Sequence, residues 1–233
     1  MDNLNLSILK ENFKKTLQNT NKTNFLLAIS GGIDSMLLLK MAKLIQNDTS
    51  YIFRAIHVDH NFSSNAEEMK RQCSDICDEY NIDLTIKKIR LSTNKNTEEQ
   101  LRNKRYESFF NNMLKDEVLV LAHHEDDQFE TFLYRLFRGA SPKGLSSIKE
   151  ISERKNKILC RPFLQVSKKT IIELSRYFDL KFVNDHSNND LSYDRNYIRN
   201  KIVPSINKRW ENINKVMNHN IELQNNYSLI VND

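Results

Sequence analysis

The chain is short of the residues that would signal several common chemistries. Its 233 residues include three cysteines, Cys73, Cys77 and Cys160, and no Cys-x-x-Cys pair. So few thiols make no disulfide framework in a chain this long, and the missing pair argues against zinc or iron–sulfur ligation. Cys73 and Cys77 are four apart, which places them on one face of a helix as buried structural thiols. No apolar run approaches the ~18 residues of a membrane span. The opening stretch MDNLNLSILKENFKK also lacks the basic, apolar and small-residue sections of a signal peptide. A reducing cytoplasm is the expected compartment, with no membrane partner. Only four glycines occur, yet two of them, Gly31 and Gly32, are adjacent.

What is present is a globular composition, 39% hydrophobic and 28% charged, with a formal charge of +5. The basic bias fits a lysine-rich solvated surface or a polyanionic partner such as RNA. Short apolar runs alternate with amphipathic patterns. Strands are expected at Phe25–Ile29, Tyr51–Val58, Leu84–Ile89, Val118–Ala122 and Ile158–Cys160. Helices are expected at Ser35–Gln46, Asn65–Tyr80, Thr97–Leu114, Asp126–Phe137 and Lys168–Phe178. Thr97 with Gln100 reads as a capping box. This alternation predicts an α/β fold, a Rossmann-like parallel sheet with helices on both faces, whose ligands bind at the carboxyl ends of the strands. The stretch Ile148–Lys157 reads as a loop or frayed helix, and Asn184–Asn196 as an extended loop. The expected organisation is one main domain over residues 1–204, followed by a helical tail at 205–233.

The paired glycines sit in Ser30-Gly31-Gly32-Ile33-Asp34-Ser35, between the first strand and the first predicted helix. Glycine permits positive φ and close backbone approach, and the unpaired N–H groups of a helix start favour an anion. Ser30 and Ser35 add hydroxyl groups on either side. No Lys-Ser/Thr follows the glycines, no G-x-G-x-x-G spacing occurs, and no G-x-S-x-G elbow fits. The six-residue pattern resembles the PP-loop of ATP-pyrophosphatases, which cleave ATP between the α and β phosphates. Asp34 would repel bare phosphate, so its carboxylate makes sense where Mg²⁺ bridges it to pyrophosphate.

Two further clusters lie at strand ends. The second strand delivers His57, Asp59 and His60 beside the proposed ATP site. The fourth runs into His123, His124, Glu125, Asp126 and Asp127. On the helix that follows, Asp127, Glu130 and Tyr134 share a face, while Phe129, Phe132, Leu133, Leu136 and Phe137 read as core. A transition metal on His123 and Asp127 ranks below ATP chemistry with Mg²⁺.

Taken in order, SGGIDS, HVDH, HHEDDQFET with LFRGASPKGL, RPFL and RNYIRNKIVP are similar to the tRNA(Ile)-lysidine synthetase family over about residues 24–210. The resemblance implies ATP-dependent adenylation of the wobble cytidine of a tRNA(Ile) with anticodon CAU. Attack by L-lysine then releases AMP. It implies catalytic roles for Asp34, His123, Asp127, Glu130 and Arg199, and ATP contacts from Ser30 to Ser35 with His57 and Asp59. Arg138, Arg195, Asn196 and Arg199 would contact tRNA or the adenylate. A second copy of the chain is a candidate partner. The chain departs from the family in following HVDH with Asn61-Phe62-Ser63, and in carrying Ala140 and Ser141 in the RGASPKGL loop. Longer members continue into C-terminal tRNA-binding domains. Rival readings are a tRNA 2-thiolation enzyme, an amidotransferase sharing the ATP site, and a non-catalytic tRNA-binding module.

Overall fold

The computed structural model describes residues 3–59, 65–89, 98–145, 148–185, 189–211, 213, 216–221 and 223. The strands are β1 Asn24–Ile29, β2 Ile52–Asp59, β3 Asp83–Lys88, β4 Glu117–Val120, β5 Ile151–Arg154 and β6 Lys157–Cys160. The helices are α1 Asn3–Gln18, α2 Ile33–Gln46, α3 Ala66–Tyr80, α4 Glu98–Asn112, α5 Glu125–Phe137, α6 Pro142–Leu145, α7 Lys168–Tyr177, α8 Asp194–Tyr197 and α9 Val203–Arg209. A π turn, Ile198–Ile202, joins the last two. The chain divides into two compact units. One comprises Met1–His123, Glu150–Phe163 and Lys169–His186; the other comprises His124–Lys149, Leu164–Lys168 and Ser187–Asp233.

The first unit holds a six-stranded sheet in the order β3-β2-β1-β4-β6-β5, parallel except for β5. Strands covered on both faces lose the polar alternation of a half-exposed sheet, hence the continuous run FLLAI in β1. Leu26 aligns with Leu119, and both pack with Ile56 and Leu159 against Tyr106 and Phe109 of α4 and Met113 just after it. One residue along β2, His57 points the opposite way and meets Cys73 of α3. Helices therefore cover both faces, as the alternation predicts. Arg54 and Glu117 form a two-bond ion pair at 3.0 and 3.1 Å, with Glu117 buried, near the amino ends of β2 and β4.

Two features of this unit differ from expectation. Ile148–Lys157 is not a loop or helix: it contains β5, an edge strand paired antiparallel to β6. The reversal is made by Lys155 and Asn156, with φ of +52° and +58°, the geometry of a tight hairpin turn. An edge strand with one face open to solvent can be Ile-Ser-Glu-Arg, and so lacks the apolar run that marks the other strands. The second is α1, ahead of the first expected element. Its Leu9, Phe13 and Leu17, at a spacing of four, are buried, and the Phe13 ring lies 5.6 Å from that of Phe163.

The second unit is built on α5. Phe129 and Leu133 pack with Ile198 and Val203. Leu136 and Phe137, expected in the core, are 46% and 59% exposed, because α5 outruns its packing partners in its last turn. The expected loop Asn184–Asn196 gives way to helix at Asp194, and helix continues through Pro204 rather than starting at Ser205. Residues 216–221 are helical again. Among the described residues no helix is long and apolar enough to cross a membrane. The expected cap Thr97 and the loop residues His60 to Ser63 lie outside the described residues.

Candidate active site

The chemistry-bearing residues form two clusters, one in each unit. In the first unit the strand order reverses between β1 and β4, the point at which open α/β sheets bind ligands. Leu27 pairs with Val120, so Ser30 and His123, each three residues on, leave neighbouring strands at the same level. Ser30–Ser35 forms the β1–α2 turn, with Gly32 as the N-cap and Asp34 in the first helical turn. Gly31 has φ +87°, and a Cβ there would stand 3.2 Å from the Met69 Cα of α3. Backbone approach as close as this needs glycine.

Ser35 is buried and staples the loop. Its hydroxyl accepts the Ser30 N–H at 3.1 Å and donates to the Gly32 carbonyl at 2.8 Å. Ser30 is the exposed hydroxyl, and it accepts the Gly32 N–H at 3.3 Å. The Val183 N–H donates to the Gly31 carbonyl at 3.0 Å, a support from the segment after α7 that the local sequence does not betray. Among the described residues no three His, Cys, Asp or Glu side chains gather as a metal site. Asp34 is the carboxylate that this turn carries into the first turn of α2.

His57 and Asp59 are both buried near the carboxyl end of β2. His57 Nδ1 lies 3.1 Å from the Ile29 carbonyl and 3.7 Å from Cys73 Sγ. Only an N–H can pair with a carbonyl, so Nδ1 carries the proton. Burial pushes the imidazole below its ordinary value, which keeps it neutral. His57 thus braces the strand that feeds the glycine turn. Lys88 Nζ stands 4.0 Å from the Asp59 carboxylate and 3.6 Å from that of Glu67.

In the second unit His124 is the N-cap of α5, and its backbone N–H donates to Asp127 Oδ2 at 2.9 Å. This is the reciprocal half of a capping box. Its Nε2 stands 3.6 Å from the same oxygen. Asp127 and Glu130 share the helix face, as their spacing predicts. Both are met by Arg199 of the π turn, which grips Glu130 with Nε at 2.7 Å and Nη2 at 2.6 Å, and reaches Asp127 Oδ1 at 3.2 Å. Glu130 is 4% exposed. Burial is the main influence and holds its carboxyl above the ordinary range, aided by the Asp127 charge and opposed by Arg199. Arg199 thus holds the two acids of α5 side by side, with the more buried one the readier to take up a proton.

Arg195 donates to the Thr131 hydroxyl at 2.7 Å, a contact no local pattern announces. The Tyr134 ring has the Arg138 guanidinium 5.2 Å and that of Arg195 5.9 Å from its centre. Arg138 is exposed, while the Asn196 amide is spent on the Asp190 carbonyl at 2.9 Å.

Residues 5–206 match the PP-loop domain family. The chain belongs to that family. A tRNA(Ile)-lysidine synthase of Buchnera aphidicola subsp. Schizaphis graminum is 39% identical over 198 residues, 84% of this chain and 44% of that protein. One from Vibrio vulnificus is 36% identical over 209 residues, 88% of this chain and 48% of that protein. The PP-loop chain thus spans less than half the length of these two relatives. Among solved structures, the U34-tRNA thiolase NcsA from Methanococcus maripaludis, with its [4Fe-4S] cluster, superposes with a TM-score of 0.74 at 17% identity. It covers 94% of this chain and 78% of its own. An NH3-dependent NAD synthetase from Campylobacter jejuni gives 0.53 at 14% identity, covering 96% of this chain and 95% of its own. Both show the PP-loop fold alone.

Proposed function

We propose that this PP-loop chain carries the catalytic centre of a lysidine-forming ligase acting on tRNA(Ile) with anticodon CAU. The observation that carries the reading is the Arg199 fork on Glu130 and Asp127, formed by motifs shared in order with the lysidine synthetase family. ATP adenylates the cytidine 2-carbonyl oxygen and pyrophosphate leaves. The ε-amine of L-lysine then attacks C2, and AMP departs with the carbonyl oxygen.

Ser30–Ser35 holds the phosphates on this reading, with His57 and Asp59 completing the nucleotide side. Mg²⁺, held through Asp34, would offset charge on the pyrophosphate. Free lysine is an ammonium with a pKa near ~10.4 and must shed a proton before it attacks. Asp127 and Glu130 suit that cation. The raised proton affinity of Glu130 suits it to the role of acceptor. Arg199 aligns both acids and would neutralise charge on the adenylate, while Arg138, Arg195 and Asn196 would contact the tRNA or the adenylate. Residues 1–204 form the catalytic portion, 205–233 a tail or linker, and the reaction belongs in the cytoplasm.

Sulfur transfer fits less well. Cys73, Cys77 and Cys160 are all buried, and burial pushes each thiol up to about 12. The test is ATP-dependent incorporation of labelled lysine into a tRNA(Ile) transcript bearing CAU. Incorporation that is lost in Glu130→Gln is expected. Tight tRNA binding with no incorporation would favour a binding module, and incorporation of sulfide would favour the thiolase. Retention of full activity in Asp34→Asn would remove the metal role.

A further inference from the structure

Arg199 sits in the π turn Ile198–Ile202, immediately ahead of Pro204. Proline inside a helix lacks the N–H that should reach the carbonyl four residues back, and its ring crowds that same carbonyl, here that of Asn200. In the π turn the Val203 N–H reaches back five residues to the Ile198 carbonyl. The widened turn carries the chain past the crowded position without ending the helix.

The widening also decides which side chains point inward. Ile198 and Val203 are 3% and 8% exposed, and both seat against Phe129 and Leu133 of α5. In an α-helix, at about 100° per residue, positions five apart diverge by about 140° and could not share that seat. A turn closed by a five-residue hydrogen bond is wider and brings them onto the same side. Arg199 is the neighbour of Ile198, so the seating of Ile198 sets the direction in which the guanidinium leaves. With both anchors in place it meets Glu130 at 2.6 and 2.7 Å.

We infer that Pro204 is a positioning residue: by favouring the π turn over α-helix it allows Ile198 and Val203 to seat together, and so holds Arg199 on Glu130 and Asp127. Its catalytic consequence rests on the lysine-ligase reading; the structural claim does not. Alanine at 204 restores the N–H, lets the turn close as α-helix, and forces a choice between the two anchors.

The decisive measurement is the NMR signal of the Arg199 Nε–H, assigned by its loss in Arg199→Lys. Pro204→Ala is expected to shift or broaden that signal. Val203→Ala, which trims the second anchor, is expected to move it in the same direction and serves if the proline variant folds poorly. A signal unmoved in the folded variants overturns the inference. In the lysine-incorporation assay, Pro204→Ala is expected to lower kcat/KM for lysine about tenfold while KM for ATP stays within about twofold. The double variant Pro204→Ala/Arg199→Lys should be no slower than Arg199→Lys, since both act through one side chain. Losses that multiply overturn the inference. A native chain that incorporates no lysine counts against the ligase reading alone, and the NMR arm still decides the role of Pro204.

Discussion

The two adjacent glycines should respond very differently to one added methyl group. Gly31 has φ +87°, where an L side chain costs about 1–2 kcal/mol. The new Cβ would also stand 3.2 Å from Met69 Cα and 3.3 Å from its carbonyl oxygen. Those atoms are helix backbone and cannot swing aside, so crowding adds about 1 kcal/mol. Gly31→Ala should therefore lose about 2–3 kcal/mol, which for a chain of this size lowers Tm by about 4–12 °C. Gly32 has φ −79° in the extended region, and its nearest foreign atom is Ser30 Oγ at 3.5 Å, an ordinary contact. Gly32→Ala should leave stability within about 0.5 kcal/mol, or raise it slightly by restricting the unfolded chain. It should still impair ATP use, because on the proposed reading the methyl group is added to the turn that holds the phosphates. Thermal unfolding followed by circular dichroism, with ATP-dependent turnover in parallel, separates the two effects. Equal Tm values for the two variants would refute the argument that α3 closes on Gly31.

If Glu130 takes the lysine proton, its ionised form is the active one, so lysine transfer should decline as pH falls through a value above 4.5. Glu130→Gln should lose that limb and about 100-fold in rate; an unchanged acid limb would exclude Glu130 as the base. His57 is lowered from 6.5, so below that pH the unfolded chain takes up a proton that the folded chain refuses. Stability should be full above pH 6.5 and drain as pH falls to the lowered value, with a shallower slope in His57→Gln by denaturant titration at several pH values. The three cysteines, buried and pushed up to about 12, should resist an alkylating reagent at pH ~8 in the folded chain and react on unfolding; fast native labelling would show that one of them opens to solvent. Glu117→Ala strips the buried partner from Arg54 and should cost about 3–5 kcal/mol, whereas a loss below about 1 kcal/mol would mean that Arg54 reaches water instead.

How much of this could be read from the letters depends on whether the cause was local. The strands β1 and β4 were legible because burial on both faces demands an unbroken apolar run, and the glycine turn because its backbone geometry restricts the residue type. The strand β5 escaped because an edge strand owes the core only half its residues; the signal it did leave was the two-residue turn at Lys155 and Asn156. Leu136 and Phe137 were misread as core because helical periodicity marks a face but not where the packing against it stops. His57 could be placed at its strand end, yet its bracing contact is to the Ile29 carbonyl of β1, a neighbour that only the folded sheet supplies.

The link between Arg199 and Glu130 spans 69 residues, and no periodicity connects them. It was nevertheless within reach of a physical argument. Glu130 stands one residue from Phe129 on a helix that had to bury its apolar side, so its carboxylate was bound for a site of little water. A buried carboxylate needs a partner that supplies charge and several hydrogen bonds, and a planar guanidinium does this better than an ammonium. Downstream, the segment RNYIRNKIVP sets Arg195 and Arg199 one helical turn apart beside apolar residues that need a surface. Two acids on one apolar helix and two arginines on another call for docking of the two. What the letters could not supply was which arginine meets which acid. That choice depends on the angle at which the second helix presents its side chains, and so on the π turn beside Pro204.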